Sequence, residues 1–334
     1  MIGEAMKTAC ILGVALFASG VAVEAAAYTF TTCGATGAQG PTQAQCDTAY
    51  GGAITVTVNG GIQSWTVPAS GTYHIVATGA QGGSGSLPSF VGGRGAQVSG
   101  DFALTAGQVL KLVVGQAGTN GGTENGGGGG GSFVVSSSNA AMLIAGGGGG
   151  IRAGASQNGC DASLTQFAVT GSGGNPTSTC ALEATDLGLG GIVSSSSWGS
   201  AGAGFNGDGA TDFGTHSGGY SWANGMLGGT TDETCSTSAP GGFGGGGAGN
   251  GCWGGGGGGG YSGGDGGWIA GGGGSFNSGT SPTAVVATAP TGIVITLAAP
   301  AIATAVPTLS QWGIVALGGL LALTALVALR RRAG

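Results

Sequence analysis

The chain has 334 residues, of which 83 are glycine, and its formal net charge is −6. Between Tyr28 and Val306 the basic residues are Arg94, Lys111 and Arg152, against eleven acidic ones, so this region would repel a phosphate backbone and nucleic-acid binding is excluded. A collagen-type triple helix is excluded as well, because the glycines follow no Gly-X-Y period and only nine prolines are present.

The N-terminal segment has the features of a secretory signal peptide. Lys7 precedes an apolar core over residues 10–23, and a run of small residues ends at Ala27. We therefore predict a signal peptide over residues 1–27, cleaved between Ala27 and Tyr28, and an exported mature chain.

Six cysteines remain after removal of this segment. An even number of cysteines in an exported chain predicts disulfides, and we expect pairing between cysteines that are neighbours in the sequence. A zinc site is disfavoured, because the sequence has no C-x-x-C and its two histidines, His74 and His216, are isolated. The disulfide candidates are Cys33, Cys46, Cys160, Cys180, Cys235 and Cys252.

Short β-branched and aromatic runs, separated by Gly, Pro, Asn or Ser, predict strands between residues 28 and 150. Seven strands at this spacing predict an all-β sandwich or jelly roll. One of them, 72–78, alternates poorly and is expected to be buried on both faces, with His74 as a structural residue. The predicted strands are 54–58, 62–67, 72–78, 97–104, 109–114, 133–136 and 142–145, followed near the end of the domain by 283–287 and 292–297.

The nearly pure glycine runs are flanked by apolar, aromatic or cysteine residues, unlike a flexible linker. Ordering one glycine costs roughly 0.5–1 kcal/mol more than ordering one alanine, so packing must compensate for it. Bare backbones can pack closely as polyproline-II-type helices that hydrogen-bond to each other. Disordered spacers are the alternative, and the flanking residues favour the ordered layer. The runs are 126–131, 146–150, 244–247, 254–260 and 271–274.

Two stretches of the domain are distinctive, TFTTCGATGAQGPTQAQCDTAY (29–50) and GIQSWTVPASGTY (61–73). They resemble the extracellular glycine-rich domain of the anaplastic lymphoma kinase and leukocyte tyrosine kinase receptors, and shorter similar stretches continue to residue 276. The resemblance implies a TNF-like β-sandwich that carries a layer of glycine helices, with ligand binding as its role. The kinase motif H-R-D is absent from the sequence, so no kinase domain is expected, and we expect neither an enzyme nor a cofactor.

Residues 151–240 are rich in Ser, Thr and Gly and are predicted to form long loops of the same domain. The oxygen-bearing residues from Asn206 through Asp208 to Asp212 have a spacing that a calcium loop could use, but a bidentate Glu and flanking helices are missing, so turns are favoured. Residues 260–264 match G-x-S-x-G around Ser262. A match of this kind is expected by chance in so glycine-rich a chain, and no strand-to-helix elbow accompanies it.

The C-terminal tail combines a short motif, an apolar helix and a basic end. The 18 residues 312–329 are uncharged and would form a helix about 27 Å long, close to the roughly 30 Å of a hydrocarbon core. Length and position disfavour a buried core helix, and the basic end predicts a cytoplasmic C-terminus. The motif residues are Val306, Pro307, Thr308, Leu309, Ser310 and Trp312, and the basic residues are Arg330, Arg331 and Arg332.

This tail resembles the Pro-Thr-Leu type of C-terminal sorting signal (IPTL-CTERM) of Gram-negative bacteria, with Val306 where isoleucine is usual. The resemblance implies temporary anchoring in the inner membrane, followed by cleavage near Pro307 to Leu309 by an exosortase-like transpeptidase and transfer to the cell surface or matrix. We expect a signal peptide (1–27), a glycine-rich β domain (28–297), a linker (298–305) and a sorting signal (306–334).

The expected role is structural or adhesive. The rival function is a specific binding module for a protein or saccharide, since aromatic side chains can stack on sugars. An enzyme is the weakest alternative, because so few histidines and charges leave no convincing acid–base or nucleophile pair.

Overall fold

The computed structural model describes residues 26–84, 90–121, 125–183, 187–193, 198–212, 217–231, 239–249, 254–298 and 309–332. The chain divides into two compact units, the first ending at Ala298 and the second beginning at Ala299. In the described residues the first unit is built from antiparallel strands and the second is one α-helix. The predicted all-β fold with one C-terminal helix is confirmed.

Thirteen strands pair into three antiparallel sheets among the described residues. All nine predicted strands are present, with ends shifted by three residues at most. In chain order the strands are β1 (Ala27–Phe30), β2 (Thr57–Asn59), β3 (Ile62–Thr66), β4 (Gly71–Thr78), β5 (Ala96–Leu104), β6 (Val109–Val113), β7 (Asn120–Gly121), β8 (Asn125–Gly126), β9 (Ser132–Ser136), β10 (Ala141–Ala145), β11 (Phe276–Asn277), β12 (Thr280–Val286) and β13 (Gly292–Leu297).

The five-stranded sheet has the order β1-β13-β4-β5-β12, and the six-stranded sheet has the order β11-β10-β9-β6-β3-β2. Their inward faces share one hydrophobic cluster, as period-two alternation requires. Along β4, Tyr73 and Ile75 are buried whereas His74 and Val76 are half-exposed. The expectation that this strand is buried on both faces was therefore wrong for its outward positions. The largest cluster members include Phe30, Trp65, Tyr73, Ile75, Phe102, Leu110, Leu112, Val134, Leu143, Ile293 and Ile295.

The six-stranded sheet is buried on its second face too. There Phe133 and Ile144 pack against Phe205, Met226 and Phe243, which all come from the glycine-rich segments that follow. Burial on both faces explains why the sequences of β9 and β10 are continuous apolar runs. One sheet is therefore the middle layer between the other sheet and the glycine-rich segments.

Helix α1 (Gln43–Tyr50) was not predicted. Thr42 accepts a hydrogen bond from the backbone N–H of Gln45, and the Gln45 side chain accepts one from the backbone N–H of Thr42 at 2.8 Å. This capping box satisfies two amides that would otherwise lack partners at the helix start. The pattern Thr-x-x-Gln indicates this capping box. The apolar period of the segment is weak, so the sequence did not predict a helix there.

The amide of Gln43 protects the edge of the six-stranded sheet. Its Nε2 donates to Val56 O at 3.0 Å, and its Oε1 accepts from Val58 N at 2.7 Å. A side chain thus takes the place of a further strand at β2. Covering an edge in this way prevents pairing with another chain.

The glycine runs form helices of three residues per turn. In the run 126–131, amides 126 and 129 donate to segment 148–151, amides 127 and 130 to segment 116–119, and amides 128 and 131 to segment 244–247. The direction of donation repeats at every third residue, which is the period of a polyproline-II-type helix. Bonds between neighbouring runs replace the internal bonds that such a helix lacks, so the predicted ordered layer is present.

Close approach demands glycine in these runs, and Gly244 and Gly245 have a positive φ as well. A Cβ added at Gly128 would lie 1.9 Å from the carbonyl oxygen of Gly257, and one at Gly147 would lie 2.2 Å from that of Gly129. No real Cβ contact is this short, so each site accepts a hydrogen atom only. We call this layer of hydrogen-bonded glycine-rich segments the glycine bundle.

The glycine bundle and the ends of the domain lie at opposite ends of the strands. Strand β4 continues after Thr78 directly into a glycine segment, and at the same end Gly79 N donates to Ala96 O, where β5 begins. At the other end Leu297 N donates to Ala26 O at 3.0 Å, and Ala298 N donates to Thr72 O at 2.8 Å. The first and last described residues of the domain are therefore adjacent.

Candidate functional site

The C-terminal helix α2 (Leu309–Arg332) is the first candidate. Its stretch Gly313–Arg332 has a mean hydropathy of 2.0, and none of it is buried inside the protein, so it is long and apolar enough to cross a membrane. Removing one leucine or isoleucine side chain from water contributes roughly 1.5–3 kcal/mol of favourable free energy. A helix this apolar is therefore more stable in hydrocarbon than in water. Arg330, Arg331 and Arg332 form its last turn.

The helix begins three residues before the predicted apolar stretch, because Leu309, Ser310 and Gln311 are already helical. Val306, Pro307 and Thr308 lie outside the described residues. Their role in a sorting motif therefore stays a prediction. The same holds for cleavage between Ala27 and Tyr28, two residues that the structure places in β1.

Among the described residues, two disulfides join cysteines that are neighbours in the sequence. Cys33 and Cys46 have a Cα–Cα distance of 4.9 Å, and Cys160 and Cys180 one of 5.4 Å. The first bridge ties α1 to the core of the sandwich, since both of its cysteines are buried there. Cys235 and Cys252 lie outside the described residues, so their pairing stays a prediction.

We expect the Cys33–Cys46 bridge to contribute about 2–4 kcal/mol to the free energy of unfolding. The double variant Cys33→Ser, Cys46→Ser should therefore show a lower midpoint in urea denaturation followed by tryptophan fluorescence. Iodoacetamide should leave both cysteines of the parent chain unmodified until a reductant is added. Alkylation of both without reduction would show that the bridge is absent.

Asp208 and Asp212, whose spacing a calcium loop could use, accept hydrogen bonds from other residues of the domain. Asp208 accepts from Ser221 N and from Asn224 Nδ2, both at 2.7 Å. Burial raises the pKa of Asp208, but the hydrogen bonds from Ser221 and Asn224 outweigh it and hold the pKa below its ordinary value. Asp212 accepts from Gly199 N at 3.1 Å. These hydrogen bonds join residues 13 or 16 apart in the sequence, so the two carboxylates fix separate loops and do not make the local turn contacts that the sequence favoured.

Ser262, of the G-x-S-x-G match, is also a structural residue. It is 2% exposed, donates to Gln166 O at 2.7 Å and accepts from Gly188 N at 2.9 Å. His74 faces Asp101 across β4 and β5, with 2.7 Å between Nδ1 and Oδ1. The hydrogen bond from His74 lowers the pKa of Asp101. Neither serine nor histidine has the geometry of a nucleophile with its base.

The second candidate site is an open groove of about 910 Å³ beside the glycine bundle. At its centre Arg94 forms a bidentate ion pair with Asp161, with 2.7 Å between Nη2 and Oδ2 and 3.3 Å between Nε and Oδ1. The carboxylate also accepts from Arg94 N at 2.7 Å. Cys180 of the second disulfide lies in the wall. The two charged side chains that line the groove therefore neutralise each other.

Sequence reasoning missed this groove. Arg94 and Asp161 are 67 residues apart and belong to no motif. Only the packing of the segment around Arg94 against the segment around Asp161 brings them together. The lining residues are Gln81, Val91, Gly92, Arg94, Gln157, Asn158, Gly159, Asp161, Ala162, Ser163, Leu164, Thr165, Val169, Cys180 and Leu182.

Comparison with known proteins identifies two similarities. Residues 304–332 match the IPTL-CTERM motif. A stretch of 97 residues, 27% of this chain, is 43% identical to the leukocyte tyrosine kinase receptor of Mus musculus and covers 11% of that receptor. Both resemblances predicted from the sequence are thereby confirmed. Because so little of the receptor is covered, its kinase activity is not carried over to this chain.

The IPTL-CTERM match indicates C-terminal sorting of an exported protein. Together with the apolar helix α2, it fits a membrane-anchored precursor and a processing enzyme that acts on it.

Proposed function

We propose that this chain is a bacterial surface or extracellular-matrix protein that is exported, held briefly in the inner membrane of a Gram-negative cell, and released by cleavage near Pro307 to Leu309. An exosortase-like transpeptidase performs the cleavage. The observation that carries this proposal is the IPTL-CTERM match at residues 304–332, with an apolar helix that ends in three arginines. The proposed segments are a signal peptide (1–27), the glycine-rich domain (28–297), a linker (298–305) and the sorting signal (306–334).

The proposed role of the mature domain is structural or adhesive. Its glycine bundle is held by backbone hydrogen bonds between many segments, and among the described residues one disulfide ties α1 to the sandwich core and another joins Cys160 to Cys180. Such a domain is suited to a setting outside the cell, where disulfides persist. The charge content of 6% also suits a role in packing and contact more than in proton transfer.

Expression of the full chain in two hosts, one with the transpeptidase and one without it, tests the sorting step. We expect the domain in the surface fraction of the first host and in the membrane fraction of the second. Retention in the membrane fraction of both hosts would contradict the proposal.

Specific ligand binding is a second candidate function, and the groove around Arg94 and Asp161 favours it. Pockets of roughly 300–1,000 Å³ with a few fixed polar groups are typical of binding sites. The detergent-solubilised full chain can be screened on arrays of glycans and peptides, with Arg94→Gln as the test variant and Lys111→Gln as the control. Binding that Arg94→Gln abolishes and Lys111→Gln preserves would support this function. Equal signals from all three proteins would contradict a role for the groove.

A further inference from the structure

The floor of the groove repeats at every third residue. Two segments, 91–94 and 158–164, lie side by side there, because Gly159 N donates to Val91 O at 2.9 Å and Ala162 N donates to Arg94 O at 2.8 Å. Both donors and both acceptors are three residues apart. At about 3.1 Å per residue, a helix of this type repeats every 9 Å or so along its axis.

In the segments 91–94 and 158–164 the exposed and half-buried side chains follow the same repeat, whereas the residues between them are buried. Val91 and Arg94 come from one segment, and Asn158, Asp161 and Leu164 come from the other. Asn158 Oδ1 accepts from Val91 N at 3.0 Å, just as Asp161 Oδ1 accepts from Arg94 N. The groove thus presents exposed side chains at every third residue, which we call rungs, and two of them, Asn158 and Asp161, are anchored to the backbone of the neighbouring segment.

The chemistry of these rungs selects an uncharged ligand that accepts hydrogen bonds. The charges of Arg94 and Asp161 cancel, and the Arg94 side chain is 55% exposed, so its remaining Nη1 can donate to a ligand. Apolar contact comes from Val91, Leu164 and Leu182, which are 47%, 40% and 55% exposed. The groove lining contains no aromatic side chain, so the stacking platform that sugars favour is missing among the described residues.

We infer that the groove binds an uncharged, proline-containing peptide in the polyproline II conformation. Such a peptide repeats every three residues, at about the same spacing as the rungs, whereas the side chains of a β-strand recur at roughly 6.6 Å on one face. Its carbonyl groups make no internal hydrogen bonds and are free to accept from Arg94 and Asn158. Its small side chains pack on Val91, Leu164 and Leu182. This inference rests on the second candidate function, ligand binding, and is independent of tail sorting.

Titration calorimetry on the detergent-solubilised full chain tests the inference. The probe is a peptide of repeated Pro-Ala-Gly triplets with blocked ends, and the control peptide carries glycine in place of each proline. We expect the proline peptide to bind, and the glycine peptide to bind at least about tenfold more weakly because it loses more conformational freedom.

Leu182→Glu places a charge in the wall of the groove, and Leu187→Glu is the matched control, since Leu187 is 48% exposed and lies outside the groove lining. Leu182→Glu should weaken binding about tenfold or more, because the carboxylate must be desolvated, and Leu187→Glu should leave binding unchanged. Absence of binding by the parent chain, equal binding of both peptides, or an unchanged affinity in Leu182→Glu would each overturn the inference. A positive glycan signal that depends on Arg94, without peptide binding, would overturn the ligand class and leave ligand binding itself intact.

Discussion

Gly257→Val is expected to unfold the glycine-rich domain or to lower its free energy of unfolding by more than about 3 kcal/mol. A Cβ at this position would lie 2.0 Å from the carbonyl oxygen of Gly264 and 2.7 Å from the amide nitrogen of Gly202. Both neighbours are backbone, which cannot rotate away as a side chain can. Separating them would break the hydrogen bonds that Gly257 N donates to Ser200 O and Gly202 N donates to Gly264 O.

Gly292→Ala is the control for this effect, alongside Gly257→Ala. A Cβ at Gly292 has Phe30 O as its nearest atom, 3.3 Å away, and the residue belongs to strand β13. Its expected cost is below about 1 kcal/mol, whereas Gly257→Ala should approach the cost of the valine variant. The measurement is urea denaturation followed by tryptophan fluorescence. Equal midpoints for the two alanine variants would show that the bundle is not close-packed at Gly257.

Pro307→Ala combined with Leu309→Ala is expected to hold the protein in the membrane of a host that has the transpeptidase. These residues lie outside residues 312–329, so a simple membrane anchor would tolerate both changes. A protease that reads the motif would not, because proline favours the extended backbone that a protease cleft accepts. The parent chain should therefore be released while the double variant keeps its helix.

Fractionation and immunoblotting of both chains, expressed at equal levels, measure this difference. A second variant, Leu320→Ala, is the control, because Leu320 lies in the middle of α2 and its replacement leaves the motif and the apolar character intact. Release of the double variant to the same extent as the parent would reject the sorting signal and leave only a helical anchor.

The sequence predicted the positions of the strands, and it predicted that the glycine runs are ordered. It did not predict which segments pack against each other in the glycine bundle. Strand positions follow from alternating side chains, and the requirement for order follows from the residues that flank the runs. Glycine carries no side chain whose chemistry would indicate its packing partner. The hydrogen bonds that the amides of residues 126–131 donate to three separate segments therefore could not be predicted from the local sequence. The pairing depends on the whole fold.

The two candidate sites also differ in how far the sequence alone predicts them. The tail was predictable, because its motif, helix and arginines are contiguous and each has a separate physical reason. The groove was not, because Arg94 and Asp161 meet only after the segments around Val91 and Gly159 have packed together. Helix α1 is intermediate in how well the sequence predicts it, because the residues of its capping box are close together in the sequence but its apolar period is weak.

The most direct test of the proposed function is the intact mass of the protein recovered from the surface of its native cell, measured with and without reduction. We predict a chain that starts near Tyr28, ends near Pro307 to Leu309 and gains two hydrogen masses per disulfide on reduction. A surface-exposed chain whose mass still includes helix α2 and Arg330 to Arg332 would contradict the proposal that the tail is a sorting signal.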